Sequence, residues 1–202
     1  MKYNRIRKLS LLASTKFLSL YDAEYENRTG KTKHWIIASR KDFTTLKSQY
    51  FEGVEGKIDA VIIAALHKDS KKIVCIKQFR VPLNDYVYEL PAGLVDGDES
   101  METSVMRELK EETGLDLTEI NYERTRKSVY ASAGMTDESA AIVFCCCEGI
   151  VSKDYLEEDE DIETALLSQK DAEELLKTNA KIDMRAFIML QAFAGLGEKL
   201  FE

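Results

Sequence analysis

Basic charge is what this sequence has least to spare. Lysine and arginine number 28 against 36 aspartates and glutamates in 202 residues, a net charge of -8 with the histidines neutral. The chain therefore lacks the positive footprint that a nucleic-acid backbone requires, and a polyanionic ligand would need a metal to bridge it. Long apolar runs are missing too. The basic N-terminus MKYNRIRKLSLLASTKFLSL offers only Leu11, Leu12 and Ala13 before Ser14, Thr15 and Lys16 intervene, too little for a secretory core or a membrane span. That stretch reads as part of the fold, and no membrane partner is expected. Cysteine occurs four times, as Cys75 and the run Cys145, Cys146, Cys147. Adjacent Cα atoms lie about 3.8 Å apart, below the usual disulfide window, and the run sits inside the apolar stretch AAIVFCCCEGI. Buried reduced thiols in a strand are expected rather than a metal site, which wants spaced ligands, and a reducing cytoplasm follows. Proline occurs twice, at Pro82 and Pro91, and beyond an acidic run at 154–163 there is neither repeat nor low-complexity tract.

What is present is enough for a real core. Hydrophobic residues make up 45% and charged residues 32% of the chain, which suits one main domain with a small appendage. Residues 17–25 and 31–39 read as two strands joined by the turn residues Asn27-Arg28-Thr29-Gly30. A hairpin alone cannot bury itself, so this segment should pack on the main body or on another subunit. IDAVIIAAL at 58–66 has the length and β-branched content of a strand covered on both faces. KKIVCIKQFR, DYVYEL, KSVYAS, SAAIVFCCCEGI and IETALLS follow as strands, with the prolines at their connections. SQKDAEELLKTN and DMRAFIMLQAFAGLG close the chain as amphipathic helices, the second ending near Gly195 and Gly197. Strands and helices without regular alternation favour a mixed sheet covered by helices over a doubly wound one. The domains expected are 1–52, an N-terminal β hairpin, and 53–202.

One more helix carries the chemistry, in GLVDGDESMETSVMRELKEETGL at 93–115. At roughly 100° per residue Val105 and Leu109 lie within about 40° of each other, with Met101 and Met106 flanking them, and this stripe should face the core. Glu112 falls between Met101 and Val105, and Glu108 lies about 60° from Val105, both at the edge of the buried side. Solubilising glutamates belong on the opposite face with Arg107 and Lys110, because an unpaired buried carboxylate is expensive. Glu108 and Glu112 are spaced i, i+4, so their oxygens can converge on one ion, and hard oxygen donors suit Mg²⁺ or Mn²⁺. The bland alternative is a surface helix laced with salt bridges.

The spacing argues against that alternative. Gly93, Glu99, Arg107, Glu108, Glu111, Glu112 and Gly114 fit G-x5-E-x7-R-E-U-x-E-E-x-G-U, with Leu109 and Leu115 at the aliphatic positions. Seven fixed residues arise by chance on the order of 10⁻⁷ to 10⁻⁹ times per start site. The chain thus resembles the Nudix hydrolase family. That resemblance implies a loop-helix-loop on an α/β/α sandwich that cleaves a nucleoside diphosphate linked to another moiety with a divalent metal. It makes Glu108 and Glu112 metal ligands, Glu111 a third carboxylate of the cluster, and Arg107 the partner that holds them. Gly93 and Gly114 would serve the loop geometry where a Cβ is costly.

The segment YELPAGLVDGDE leading into the box is similar to the ADP-ribose and ADP-sugar pyrophosphatase branch. That likeness implies the backbone carbonyl of Ala92 as a metal ligand, Trp35 stacking on adenine, Arg40 contacting the ligand, and Arg80 of KQFR reaching the phosphates. A lone tryptophan on a hairpin is a flat apolar plate suited to a base, and arginine offers a planar fork to a diphosphate. Without the resemblance, Trp35 would read as a core or interface aromatic and the arginines as solvated charges. The loop holding the acidic run supplies the water-activating glutamate in this branch, matching Glu160, with Glu163 as the fallback. Glu138 in AGMTDES lies in a segment similar to a substrate-contacting loop and is a second candidate. Many ADP-ribose enzymes carry a proline shortly after the box; here that neighbourhood has Ala131 and Ala133. The resemblance implies hydrolysis of ADP-ribose or a similar nucleoside diphosphate sugar in a homodimer. The alternatives are another nucleotide sugar such as GDP-mannose, or a module that senses a nucleotide sugar without cleaving it.

Overall fold

The computed structural model describes residues 4–158 and 160–202. Two compact units divide the chain: Met1–Asp59 with Val129–Ala140, and Ala60–Ser128 with Ala141–Glu202. Residues 129–140 thus fall in the same unit as the N-terminal strands.

In the first unit, β1 (Ile6–Ser14), β2 (Ser19–Glu26) and β3 (Thr32–Ser39) form an antiparallel sheet in that order. The expected hairpin is β2–β3. Asn27 makes its turn, with Oδ1 accepting from Thr29 N and Lys31 N, both at 2.9 Å, and Gly30 adopting φ +76°, a conformation that asparagine-glycine turns supply at little steric cost. The hairpin has its own small core. Leu9, Tyr21 and Ala23 cluster with Leu46 of α1 (Phe43–Lys47), and Ile6, Ile37 and Tyr50 pack against them. Asp42 caps α1 by accepting from Thr45 N at 2.7 Å, which satisfies an otherwise orphaned helix donor.

The second unit holds β4 (Ala60–His67), β5 (Lys72–Arg80), β6 (Asp85–Glu89), β7 (Ala92–Leu94), α2 (Met101–Thr113), β8 (Asp116–Tyr130), β9 (Ser139–Glu148), β10 (Ile162–Leu167), α3 (Gln169–Leu176) and α4 (Met184–Leu196), with the distal ends of β8 and β9 in the first unit. The sheet order is β10-β5-β4-β9-β8, with β6 on β5 and β7 on β4. It is a mixed sheet. β5 pairs antiparallel with β4, β6 and β10. Asp59 N donates to Ser139 O and Lys68 N to Cys147 O, so β4 and β9 run the same way. All eight residues of β4 are buried, as its unbroken apolar run requires. Helix α2 packs on β4, β7 and β10; α3 packs on α4 and β10, and α4 on β6. Helix α4 runs through Gly195 and ends at Gly197, φ +58°. Among the described residues no helix is long and apolar enough to cross a membrane. The four cysteines are free thiols in β5 and β9, all but the half-buried Cys146 fully buried. Burial pushes Cys75 up to about 12, because a thiolate there would lose its solvation.

Candidate active site

The second unit places the carboxylates. Helix α2 starts at Ser100, whose side chain accepts from Thr103 N at 3.1 Å, and stops at Gly114, φ +75°. Gly114 is required twice over, since a Cβ there would also lie 2.6 Å from Ser152 N. Val105 and Leu109 are fully buried, as the helix wheel demands. Met106 is not part of that stripe: it is 54% exposed, and the small Ser104 and Thr113 are buried on this side instead. A long side chain about 100° from Val105 on the wheel overhangs the edge of the contact.

Glu108 and Glu112 are 8% and 4% exposed. Arg107 works across the helix start and its carboxylates. Its Nε and Nη2 donate to the two oxygens of Glu99, at 3.1 and 3.0 Å, Nη2 also donates to Leu94 O at 3.0 Å, and Nη1 reaches Glu108 Oε1 at 2.7 Å and Glu111 Oε2 at 3.0 Å. The fork on Glu99 and a hydrogen bond from Ser104 hold the Glu99 carboxyl down at about 2. Glu112 Oε2 accepts from Ala92 N at 2.9 Å, and Ala92 itself is paired with Ile62 in β4. The register of β7 on β4 thus fixes the peptide beside Glu112.

Burial is the main influence on both glutamates. It raises Glu108 despite Arg107, and it raises Glu112 well above the usual carboxylate range despite the Ala92 N–H. A lesser like-charge influence on both comes from Glu160. The corresponding influence of Glu163 falls on Tyr86. Glu160 Oε2 accepts from Glu157 N at 3.0 Å, folding its loop back on itself.

Arg80 is held in the same unit. Its Nε and Nη2 donate to Glu89 Oε1 and Oε2 at 2.6 and 2.7 Å, a two-pronged pairing that fixes the guanidinium plane. Glu89 is buried and is a further residue of the site; its pairing with Arg80 follows from the register of β6 on β5, for which the sequence alone carries no signal.

Trp35, Arg40 and Glu138 belong to the first unit. Trp35 is 52% exposed, and its Nε1 donates to Gly134 O at 3.1 Å. Arg40 Nε donates to Glu138 Oε2 at 3.2 Å. A cavity of ≈260 Å³ in this unit is lined by Trp35, Ile37, Tyr50, Tyr130 and residues 133–137.

Among the described residues no three His, Cys, Asp or Glu side chains are placed to hold a metal ion as they stand, and Glu108 and Glu111 are turned onto Arg107 Nη1. The chemistry of the donors nonetheless fits one. Two buried carboxylates, one of them accepting a backbone N–H, favour a hard divalent cation, because an ion removes the penalty of keeping both charged.

The NUDIX domain model matches residues 56–191. An uncharacterised Nudix hydrolase of Schizosaccharomyces pombe is 35% identical over 130 residues, covering 63% of this chain and 57% of that protein. An ADP-ribose pyrophosphatase of Saccharomyces cerevisiae is 32% identical over 139 residues, covering 68% of this chain and 55% of the relative. The match thus spans little more than half the length of these relatives. The solved structure of an ADP compounds hydrolase superposes with a TM-score of 0.67 over 95% of both chains at 17% identity, a likeness of fold.

Proposed function

The chain belongs to the Nudix hydrolase family, and from that premise we propose that it hydrolyses the diphosphate bond of ADP-ribose or a similar nucleoside diphosphate sugar, releasing a nucleoside monophosphate and a sugar phosphate. The observation that carries the proposal is the pair Glu108 and Glu112, two nearly buried carboxylates on one helix face beside Arg107. Relatives named for ADP-ribose support the substrate class.

Nudix hydrolases generally use divalent metal ions, and Mg²⁺ or Mn²⁺ is the ion proposed here. Glu108, Glu112 and the Ala92 carbonyl would hold it, where it would neutralise the diphosphate and polarise the scissile bond. Arg107 orients Glu108 and Glu111. Arg80, its Nε–Nη2 edge held by Glu89, would offer its remaining Nη donors to the phosphates. Glu160, on its own loop, takes the proton from the attacking water, a role that suits a carboxylate able to close over substrate. Trp35 stacks on the base, and Arg40 and Glu138 contact the ligand.

Two supporting readings accompany this one. Exposed Leu11, Leu12, Leu20 and Ile36 on the N-terminal sheet support a homodimer joined there, which sedimentation showing only monomer would refute. The free thiols support a reducing cytoplasm. The principal test is incubation with ADP-ribose, other ADP-sugars and GDP-mannose in the presence of Mg²⁺, with mass detection of products. AMP and ribose 5-phosphate are expected from ADP-ribose; no cleavage of any nucleotide sugar would defeat the reading.

A further inference from the structure

The N-terminal unit contains a buried charge cluster that the proposed chemistry does not use. Lys41 Nζ lies 2.7 Å from Asp59 Oδ1 and 3.0 Å from Asp137 Oδ2, and the three side chains are only 11%, 11% and 16% exposed. One ammonium therefore balances two carboxylates where water is scarce. Asp59 is further occupied: its Oδ2 accepts from Ser139 N at 2.8 Å and from Ser139 Oγ at 3.1 Å, and its own N–H donates to Ser139 O at 2.8 Å. Among the described residues, the buried oxygens of Asp137, by contrast, meet no in-line hydrogen-bond donor, and the Lys41 ammonium lies 3.0 Å from Oδ2. Lys41 supplies their compensation. Burial works against its charge, yet the two aspartates outweigh burial and hold its proton more firmly than usual.

The cluster sits at the root of the 131–138 loop. That loop is built on Ser132 O, which accepts from Met135 N and Thr136 N, and it closes where Ala131 N donates to Glu138 O at 3.0 Å. Three bonds then tie it to β3 and the residues after it: Ala38 N to Met135 O at 2.9 Å, Trp35 Nε1 to Gly134 O, and Arg40 Nε to Glu138 Oε2. Each of these is exposed or half-exposed, and solvent-exposed polar contacts of this kind are individually weak. The Lys41 cluster is the buried tie, and Asp137 also lines the cavity beside Trp35.

We propose that Lys41 is a positioning residue, anchored on Asp59, that clamps the 131–138 loop to β3 through Asp137 and so sets the relative placement of Trp35 and Glu138 for the ligand. It rests on the functional reading above, in which those two residues touch the nucleotide sugar. Lys41 itself touches no substrate. Losing the clamp leaves the binding groups in place but unfixed, so ligand binding weakens while the carboxylate cluster on α2 is untouched.

Trp35 is the single tryptophan, so indole emission, excited selectively over tyrosine, reports on this loop alone. The test compares Asp137→Asn, Lys41→Met and Lys41→Arg in the full chain. Asp137→Asn keeps the Lys41–Asp59 pair and hence the fold, and so decides the matter if Lys41→Met does not fold. With ADP-ribose and Mg²⁺, Asp137→Asn and Lys41→Met should raise KM about tenfold with kcat within about twofold, the pattern of lost binding without lost chemistry. Acrylamide quenching of Trp35 should rise in both, and Lys41→Arg should restore both readouts. Wild-type KM and wild-type quenching in folded Asp137→Asn, or a fall in kcat in place of the rise in KM, would overturn the proposal. If the wild-type protein cleaves no nucleotide sugar, the functional reading fails by itself, and the quenching comparison still decides whether Lys41 holds the loop.

Discussion

Gly93 and Glu108 occupy almost the same space: a Cβ built on Gly93 would lie 1.8 Å from Glu108 Cδ. The backbone of Gly93 is not in the left-handed region, so the requirement for glycine comes from the carboxylate pressed against β7 and not from a turn. Gly93→Ala should therefore push Glu108 out of its place, with little change in the strand itself. The expected result is loss of metal-dependent turnover together with a destabilisation of about 1–3 kcal/mol from overpacking, read by assay and by denaturant unfolding. Unchanged activity would mean that Glu108 does not need this position.

Glu112 is the more deeply buried of the pair and accepts from the Ala92 N–H. Glu112→Gln keeps an acceptor for that N–H and removes a charge that burial disfavours. Its melting temperature without metal should match or exceed wild type. Turnover should be abolished, and Mg²⁺ at 100 times its Kd, which stabilises a binding-competent protein by about 2.7 kcal/mol, should leave the variant unmoved. Full activity in Glu112→Gln would remove the metal assignment.

How much of this was legible in the sequence depended on burial. β4 and α2 announced themselves because their periodicities are those of heavily buried elements, and Asn27 and Gly30 marked the hairpin turn by conformational preference alone. β1 escaped notice because Leu9 is its only buried residue and bulges near Arg7 and Leu12 break the two-residue repeat. Most of β8 escaped because it is the last strand in its sheet, charged and half-exposed along its length. The five-residue α1 and three-residue β7 are too short to show a period. At the site, the motif named Glu99 and Arg107 without saying that they pair. The ties of Arg80 to Glu89 and of Lys41 to Asp59 and Asp137 depend on strand register and loop return, which spacing along the chain does not encode.

Arg80 and Glu89 give a prediction in which charge is kept and geometry is lost. In Arg80→Lys the ammonium is a point donor that cannot reproduce the two parallel bonds, and one oxygen of the buried Glu89 carboxylate loses its partner. A destabilisation of about 1–3 kcal/mol is expected from the unmet acceptor, together with a higher KM for the nucleotide sugar. Wild-type stability in chemical denaturation would show that Glu89 finds another donor.

The N-terminus of α4 offers a pH dependence whose sign is fixed. Asp183 caps the helix by accepting from Arg185 N at 2.9 Å and Ala186 N at 3.4 Å, and its two oxygens pair with Arg185 Nε and Nη2 at 2.8 and 3.0 Å. Burial pushes its carboxyl up, but the Arg185 contacts outweigh it and the net shift is downward. A group depressed in the folded state stabilises above its unfolded value, near 3.9 for aspartate, and that contribution is lost as pH falls through the lower folded value. Asparagine caps about as well as aspartate, so Asp183→Asn isolates the charge from the cap. The variant should be less stable than wild type by about 1 kcal/mol at pH 7. The difference should begin to shrink below about pH 4 and vanish once Asp183 is protonated in both states. Urea midpoints for the two proteins from pH 7 down to pH 3 would test this, and a difference that stayed constant or grew on acidification would show that Asp183 is not held as the carboxylate.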